Sequence, residues 1–411
     1  MLARNFLLKI PPIANTRPVA SHFKRTTLRI KLILILTLYI STSVFGQKTD
    51  TLKFYSKAFN TERTVYVTTP EFYKYQSKDV KLPVIYLLDG QHEWFVNPVL
   101  STIRYLQYTH QIPQTIVVTI PLVNRNKECG IKTLEEDELP LYKFITDELD
   151  EKIQQYNPNK YKILIGHSFS ASFSLYAYLK NPTYFSAVLA NTPLDSFKEL
   201  ILAFEKNGKT DKRNIFISVG GNAKHEDFYH RKTFDALKKE FPTFFSSINT
   251  FVAENAGHNA VPILATPNLL TKLFSDFNGR YSEIASVDND YKIITKPKSI
   301  EDEIKKIENA SKIGDNFYPP EIADINGLAS RYWNSDLIDY VVGIYETGIK
   351  HYPEYYDFHL QLYELLLPTD KDRAKKHLNR AYELLNTGET NHQTKNDIIE
   401  EINKEKIKNG W

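Results

Sequence analysis

The chain has 411 residues, 25% charged and 42% hydrophobic, enough to bury a large core in one or two domains. Its 52 Lys and Arg against 49 Asp and Glu give +3, but seven of the basic residues and none of the acidic ones fall in the first 46 positions, so the remainder carries −4. That balance removes the case for nucleic-acid binding, and a lone cysteine, Cys129, excludes an intrachain disulfide and a cysteine-based zinc site.

Residues 1–46 read as a leader rather than a fold element. Basic residues from Arg4 to Lys31 precede the apolar run 32–40, and small and polar residues follow to Gly46. This is the order of a secretory signal peptide, with cleavage expected near Gly46-Gln47. The run is shorter than the ~20 residues of a spanning helix, so membrane contact is expected only through an uncleaved leader. Thirty residues before the apolar run exceed what a signal needs, and Met1 is the only methionine, so translation is expected to begin later, at a non-Met codon. An exported chain without disulfides suits a bacterial periplasm or the outside medium.

From 50 to 69 the residues alternate loosely, as two antiparallel strands joined through Asn60-Thr61. Residues 83–88 are continuously apolar up to Asp89-Gly90, the pattern of a central strand covered on both faces. A helix is expected over 94–107 and a buried strand over 115–120, ended by Pro121. A polar loop is expected over 123–130. An amphipathic helix over 139–156 places Leu141, Phe144, Ile145, Leu149 and Ile153 on one face. Ile163 to Ile165 is a short β-branched run, then comes Gly166-His167-Ser168-Phe169-Ser170, then a helical pattern over 172–179. Strands at 185–191, 213–221 and 249–253 alternate with helices at 194–206 and 228–241. Strands alternating with helices define an α/β fold with a mostly parallel sheet, whose chemistry sits at the strands' C-terminal ends.

Three of those ends carry reactive groups. Strand, sharp turn with Ser168 at its tip, then helix is the pattern of a nucleophile elbow. Positions two before and two after the serine must be small; Gly166 complies, whereas Ser170 stands where G-x-S-x-G has glycine. A serine needs a base to become a nucleophile, and His258, just past the last strand behind Gly257, is the candidate. His167, His230, His225 and His92 are rivals. Glu226 or Asp227 can orient the imidazole, with Asp195 as a fallback. Ser, acid, His is the chain order of the α/β-hydrolase fold. The oxyanion needs two backbone N–H donors, expected from Phe169 and Gln91, with Gly90 permitting close approach. Asp89, Trp94, Phe95 and Tyr86 can shape a pocket for an aromatic or acyl group, or can be core. Each of these residues also has a plainer reading: a surface histidine, a solvated loop acid, a serine in an ordinary turn.

Taken together, 84–90, Gly166 to Phe169 and Gly257-His258-Asn259-Ala260-Val261-Pro262 resemble the esterase D-like "putative esterase" family. That family includes siderophore esterases, feruloyl esterases and the mycolyltransferase antigens. The resemblance runs from Thr51 to about Phe274, and the Arg125 segment is similar to a basic family segment whose acidic member is matched loosely by Glu128. It implies Ser168 as nucleophile and His258 as base. It favours Glu226 as the acid, because its separation from His258 is similar to that in the mycolyltransferases. It also implies an ester substrate, aromatic or siderophore-like in class, and no metal or cofactor.

Beyond Phe274 the composition shifts. A polar connector is expected over 278–298, a helix over 300–310, a break at Phe317-Tyr318-Pro319-Pro320 and helices to the end. Tyr332 with Leu366 and Ile344 with Leu378 repeat at 34 residues, the tetratricopeptide period. The expected organisation is a leader at 1–46, an α/β-hydrolase domain at 47–278, a linker and helix at 279–315, and a tetratricopeptide-like all-α domain at 316–411. That tail is expected to pack on the hydrolase domain or to cover its pocket. The expected function is an exported serine esterase working through an acyl-enzyme. The alternatives are an acyltransferase with the same triad, or a catalytically silent binding protein, for which Ser170 speaks.

Overall fold

The computed structural model describes residues 47–134, 139–208, 211–221, 228–388 and 392–411. The expected leader, Glu226, Asp227 and His225 lie outside the described residues. Residues 46–387 form one compact unit.

Eight strands make one sheet: β1 (Lys48–Ser56), β2 (Thr61–Thr69), β3 (Leu82–Leu87), β4 (Ile116–Thr119), β5 (Pro158–His167), β6 (Ala187–Asn191), β7 (Ile215–Gly220) and β8 (Asn249–Ala253). Their order is β1-β2-β4-β3-β5-β6-β7-β8. The hairpin β1–β2 is antiparallel, turns at Asn60, and joins β4 antiparallel; every other pairing is parallel. The continuous apolar runs are divided by the two-residue period of a strand. Val84 and Tyr86 face one core, with Leu164, and Ile85 and Leu87 face the other, with Ile163 and Ile165. The first core is covered by 140–153 and by helices Phe169–Lys180 and Phe197–Lys206. The second is covered by helices Glu93–Tyr108 and Val261–Leu273.

Some local expectations change. The polar loop after β4 contains a short helix, Arg125–Cys129, because the Asn124 side chain accepts the Lys127 N–H and Glu128 turns inward. The helix expected from 139 starts at Pro140 and widens to a π-helix at Phe144–Leu149. The helix after the elbow starts at Phe169, directly behind Ser168. The helix expected from 194 starts only at Phe197, because 192–196 form a loop at the sheet edge.

In the tail, helix Ile300–Ala310 is capped by the Ser299 side chain. A small hairpin, β9 (Lys312–Ile313) and β10 (Asn316–Phe317), precedes the proline break and went unread in the sequence, being only two residues long per strand. Helices Ile322–Asn334, Ile338–His351, Tyr356–Leu366 and Lys371–Thr387 follow. Ile307, Ile325, Tyr332, Ile344 and Phe358 share a core with Tyr75 of the sheet domain.

The tail meets the N-terminal edge of the parallel strands. The Glu321 carboxylate accepts the Gln114 N–H at 2.8 Å, two residues before β4, and contacts His110 Nδ1 at 2.9 Å. Ser77 N–H donates to the His351 carbonyl at 2.7 Å, shortly before β3. Ser168 follows the opposite end of the ten-residue β5, about 30 Å away along the strand. The tail helices 300–387 therefore pack on the hydrolase domain but do not cover the Ser168 end. Helix His392–Asn409 belongs to a separate unit and carries Lys404–Glu400 and Lys408–Glu405 pairs. Among the described residues no helix is long and apolar enough to cross a membrane.

Candidate active site

Ser168 is the tip of the turn between β5 and helix Phe169–Lys180. Its backbone sits at φ 60°, ψ −118°, a region L-residues avoid, and its side chain is almost buried. Such a conformation costs on the order of 1–3 kcal/mol and persists only where the surroundings hold it. They do so here. Ser168 N–H donates to the Asn191 carbonyl at the end of β6 (2.9 Å), and its own carbonyl accepts the N–H groups of Ala171 and Ser172. Strand and helix crowd as the elbow pattern requires. A Cβ on Gly166 would lie 2.3 Å from the Ser170 carbonyl oxygen and 2.4 Å from its carbon.

Ser170 is not a weakened glycine. Its hydroxyl accepts the His167 N–H at 2.7 Å and donates to the Asp89 carboxylate at 2.6 Å. Its φ is not positive, so the position needs a small residue rather than glycine's freedom. The hydroxyl therefore ties the elbow to the loop after β3.

Asp89, at φ 60° and fully buried, is the hub of that tie. Arg125 grips it through Nε at 2.6 Å and Nη2 at 3.1 Å, and the same Nη2 donates to the His167 carbonyl at 2.5 Å. Asp89 thus supports the elbow from behind instead of facing a pocket. Behind Arg125, Glu128 accepts both Arg63 Nη atoms at 3.1 and 2.8 Å and the N–H groups of Val123 and Asn124. Arg63 also lies over the Phe59 ring at 4.1 Å. Sequence reading missed Arg63, which stands in an alternating strand 65 residues away; the loosely matched Glu128 was the available signal.

Gly90 is required by packing as well. Its N–H donates to the Ile120 carbonyl, and a Cβ would lie 2.6 Å from Pro121 N, so β4's end crowds it. Gln91 is braced by side-chain bonds to Asp89 and to the Leu122 N–H. Among the described residues no acceptor is found for the amides of Gln91 and Phe169.

His258 begins a 3₁₀ turn after β8. Gly221 N–H donates to the Ala256 carbonyl at 2.8 Å, and a Cβ on Gly220 would lie 2.5 Å from that oxygen, so two glycines let this loop close on the end of β7. The structure brings His258 to the residue beside Ser168. The His167 and His258 rings are 4.6 Å apart between centroids, and His167 Nε2 is 3.1 Å from the His258 carbonyl oxygen. A carbonyl only accepts, so His167 carries its proton on Nε2. Burial, aided by His258, lowers the His167 pKa to about 3, so this imidazole stays neutral. His167 is thereby a clamp on His258 and not a rival base. The His230 ring also lies 4.6 Å from that of His258, tilted by 55°. His92 caps helix Glu93–Tyr108.

Trp94 is half-exposed, with its ring 5.7 Å from His167 in an edge contact. Tyr86 and Phe95 are core. Tyr86 is buried with its hydroxyl on Tyr184, and Phe95 packs in the second core. Asp195 lies on the 192–196 loop and lines a cavity beside Phe169. Cys129 is buried, which raises its thiol pKa far from neutrality.

A strained serine between a parallel strand and a helix, at the C-terminal edge of a mostly parallel sheet, defines the α/β-hydrolase class of fold. Within that class, residues 56–238 match the family described as "Putative esterase". No curated protein matches the chain in sequence. Among solved structures, the fold is similar to an IroE-like serine hydrolase from Shewanella oneidensis, with TM-score 0.54 and 20% identity over 73% of this chain and 98% of that one. It is also similar to an uncharacterised protein from Capnocytophaga ochracea, with TM-score 0.50 and 16% identity over 87% of this chain and 100% of that one. The enterobactin esterase of Shigella flexneri aligns with TM-score 0.44 and 20% identity, over 56% of this chain and 59% of that one.

Proposed function

We propose that this protein is an exported serine esterase that works through an acyl-enzyme. The observation that carries the reading is the Ser168 backbone, held at φ 60° at the start of a helix beside the His258 loop. Strain of this kind is retained where the surroundings over-determine it, and it clusters at reactive sites. Ser168 attacks the ester carbonyl while His258 takes its proton and returns it to the leaving alcohol. The amides of Phe169 and Gln91 hold the oxyanion. Glu226, or its neighbour Asp227, orients the imidazole. Water then releases the acid by the same steps. The Ser170 hydrogen bonds take away the sequence argument for a silent fold, since the departure from glycine has a structural use. The leader directs the chain to the periplasm or the outside medium. The ester's class follows the siderophore esterases of the family that the sequence resembles. The helices 322–334 and 356–366, starting 34 residues apart, are read as a tetratricopeptide-like pair that braces the sheet from the end opposite Ser168.

The test is covalent labelling of the mature protein by a fluorophosphonate, beside Ser168→Ala and His258→Ala. Labelling that vanishes in Ser168→Ala and is much weakened in folded His258→Ala supports the reading. A folded wild type that takes no label sinks it.

A further inference from the structure

We infer that the cavity beside Phe169 is the site that receives a neutral, apolar substituent of the ester and turns away an anionic one. This rests on the esterase reading and specifies its substrate. The cavity measures about 300 Å³, at the lower end of the range of ligand pockets, with room for ~10 heavy atoms at roughly 30 Å³ each.

Three links place it at the reacting centre. Phe169 walls it, and its amide is one of the two donors in the proposed mechanism. Thr192, which lines it, follows Asn191, whose carbonyl holds Ser168 N–H. His230 lines it, and its ring lies 4.6 Å from that of His258. A substituent on an ester carbonyl bound at Ser168 therefore has this cavity next to it.

The lining decides the class. Phe169, Leu194, Phe197, Val219 and Phe234 present carbon to the cavity. Among its described lining residues the one carboxylate is Asp195, part-exposed, with no hydrogen-bond or ion-pair partner among the described residues. An unpaired carboxylate in a partly desolvated cavity repels a second one strongly. A chain ending in a carboxylate meets that charge; an alkyl or aryl group of similar size does not.

The test uses the full mature chain and proton release from two ester series: methyl butanoate, hexanoate and octanoate, and butyl, hexyl and octyl acetate. In one series kcat/KM rises roughly fourfold per methylene until the cavity is full, and that series shows whether the acyl or the alcohol part enters. In Leu194→Trp the ratio of the octyl or octanoyl member to the shortest one falls at least tenfold. The anionic partner carries its carboxylate on the part that enters: monomethyl glutarate is turned over at least tenfold more slowly than methyl pentanoate if that is the acyl part, 4-acetoxybutanoate than butyl acetate if it is the alcohol part, and Asp195→Asn narrows that gap while Asp195→Lys reverses it. Flat profiles in both series, or ratios untouched by Leu194→Trp, overturn the assignment while fluorophosphonate labelling leaves the esterase reading standing. A wild type that hydrolyses no ester and takes no label overturns both.

Discussion

Replacing His167 separates two things its imidazole does. The ring packs against that of His258 at 4.6 Å, and its Nε2–H donates to the His258 carbonyl at 3.1 Å. Only the second fixes the loop that carries His258, the base of the proposed mechanism. His167→Phe keeps a ring of similar size at a position 3% exposed and deletes the donor, leaving a carbonyl without its partner. That bond is part-buried, so its loss costs about 0.5–1.5 kcal/mol, and the chemical denaturation midpoint falls accordingly. A base displaced by about 1 Å costs on the order of 100-fold in rate, so kcat falls between about 10- and 100-fold with KM nearly unchanged. His167→Gln deletes the ring but reaches the same carbonyl with an amide N–H, and it recovers kcat to within about threefold. The pH–rate profile sharpens the comparison. His167 is neutral down to about pH 3, so neither variant removes an ionisation from the neutral range, and the pH–rate profile keeps its shape in both. Equal kcat in His167→Phe and wild type, or failure of His167→Gln to exceed His167→Phe, refutes the clamp.

Gly166→Ala puts a methyl 2.3 Å from the Ser170 carbonyl oxygen, where only backbone can give way; it lowers stability by at least ~3 kcal/mol, seen as loss of soluble protein or a large fall in Tm. Ser170→Gly makes the pentapeptide fit G-x-S-x-G yet destabilises by ~1–3 kcal/mol in urea titration, because Asp89 and the His167 N–H lose a partner; a neutral or stabilising effect contradicts the assigned hydrogen bonds. Glu128→Gln leaves Arg63, 3% exposed, without its counter-charge and costs ~3–5 kcal/mol by the same assay, and an unchanged midpoint counts against the pair. For His110, burial works against the charged form, but the hydrogen bond and charge of Glu321 outweigh it, with Asp324 adding and Arg280 opposing, and the pKa is raised. A raised histidine contributes stability in full below its unfolded value near ~6.5 and loses it as pH climbs through the folded value. The Tm gap between wild type and His110→Asn is therefore wider at pH 6 than at pH 9; a pH-independent gap is evidence against a charged clasp.

By itself the sequence determined the alternation of buried strands and helices, and with it the sheet and the edge that carries the candidate site. Continuous apolar runs such as 83–88 have one low-energy use, as strands covered on both faces, and the Gly166-His167-Ser168 turn between such a strand and a helix has few alternatives. These are local signals, carried by neighbours in the chain. Tertiary structure alone decided what depends on distant partners. It gave Ser170 its bonds to Asp89, 81 residues away, paired Arg63 with Glu128, and turned His167 from a rival base into a clamp on His258. It sent Tyr86 and Phe95 into the core and opened a cavity behind Phe169 instead. It also set the tail helices 300–387 on the N-terminal edge of the sheet, because Glu321 finds the Gln114 amide and His110 there. Periodicity can tell that a face will be buried, since burial is non-directional. It cannot tell against what, because a hydrogen bond or ion pair forms only where the fold brings both partners within about 3 Å.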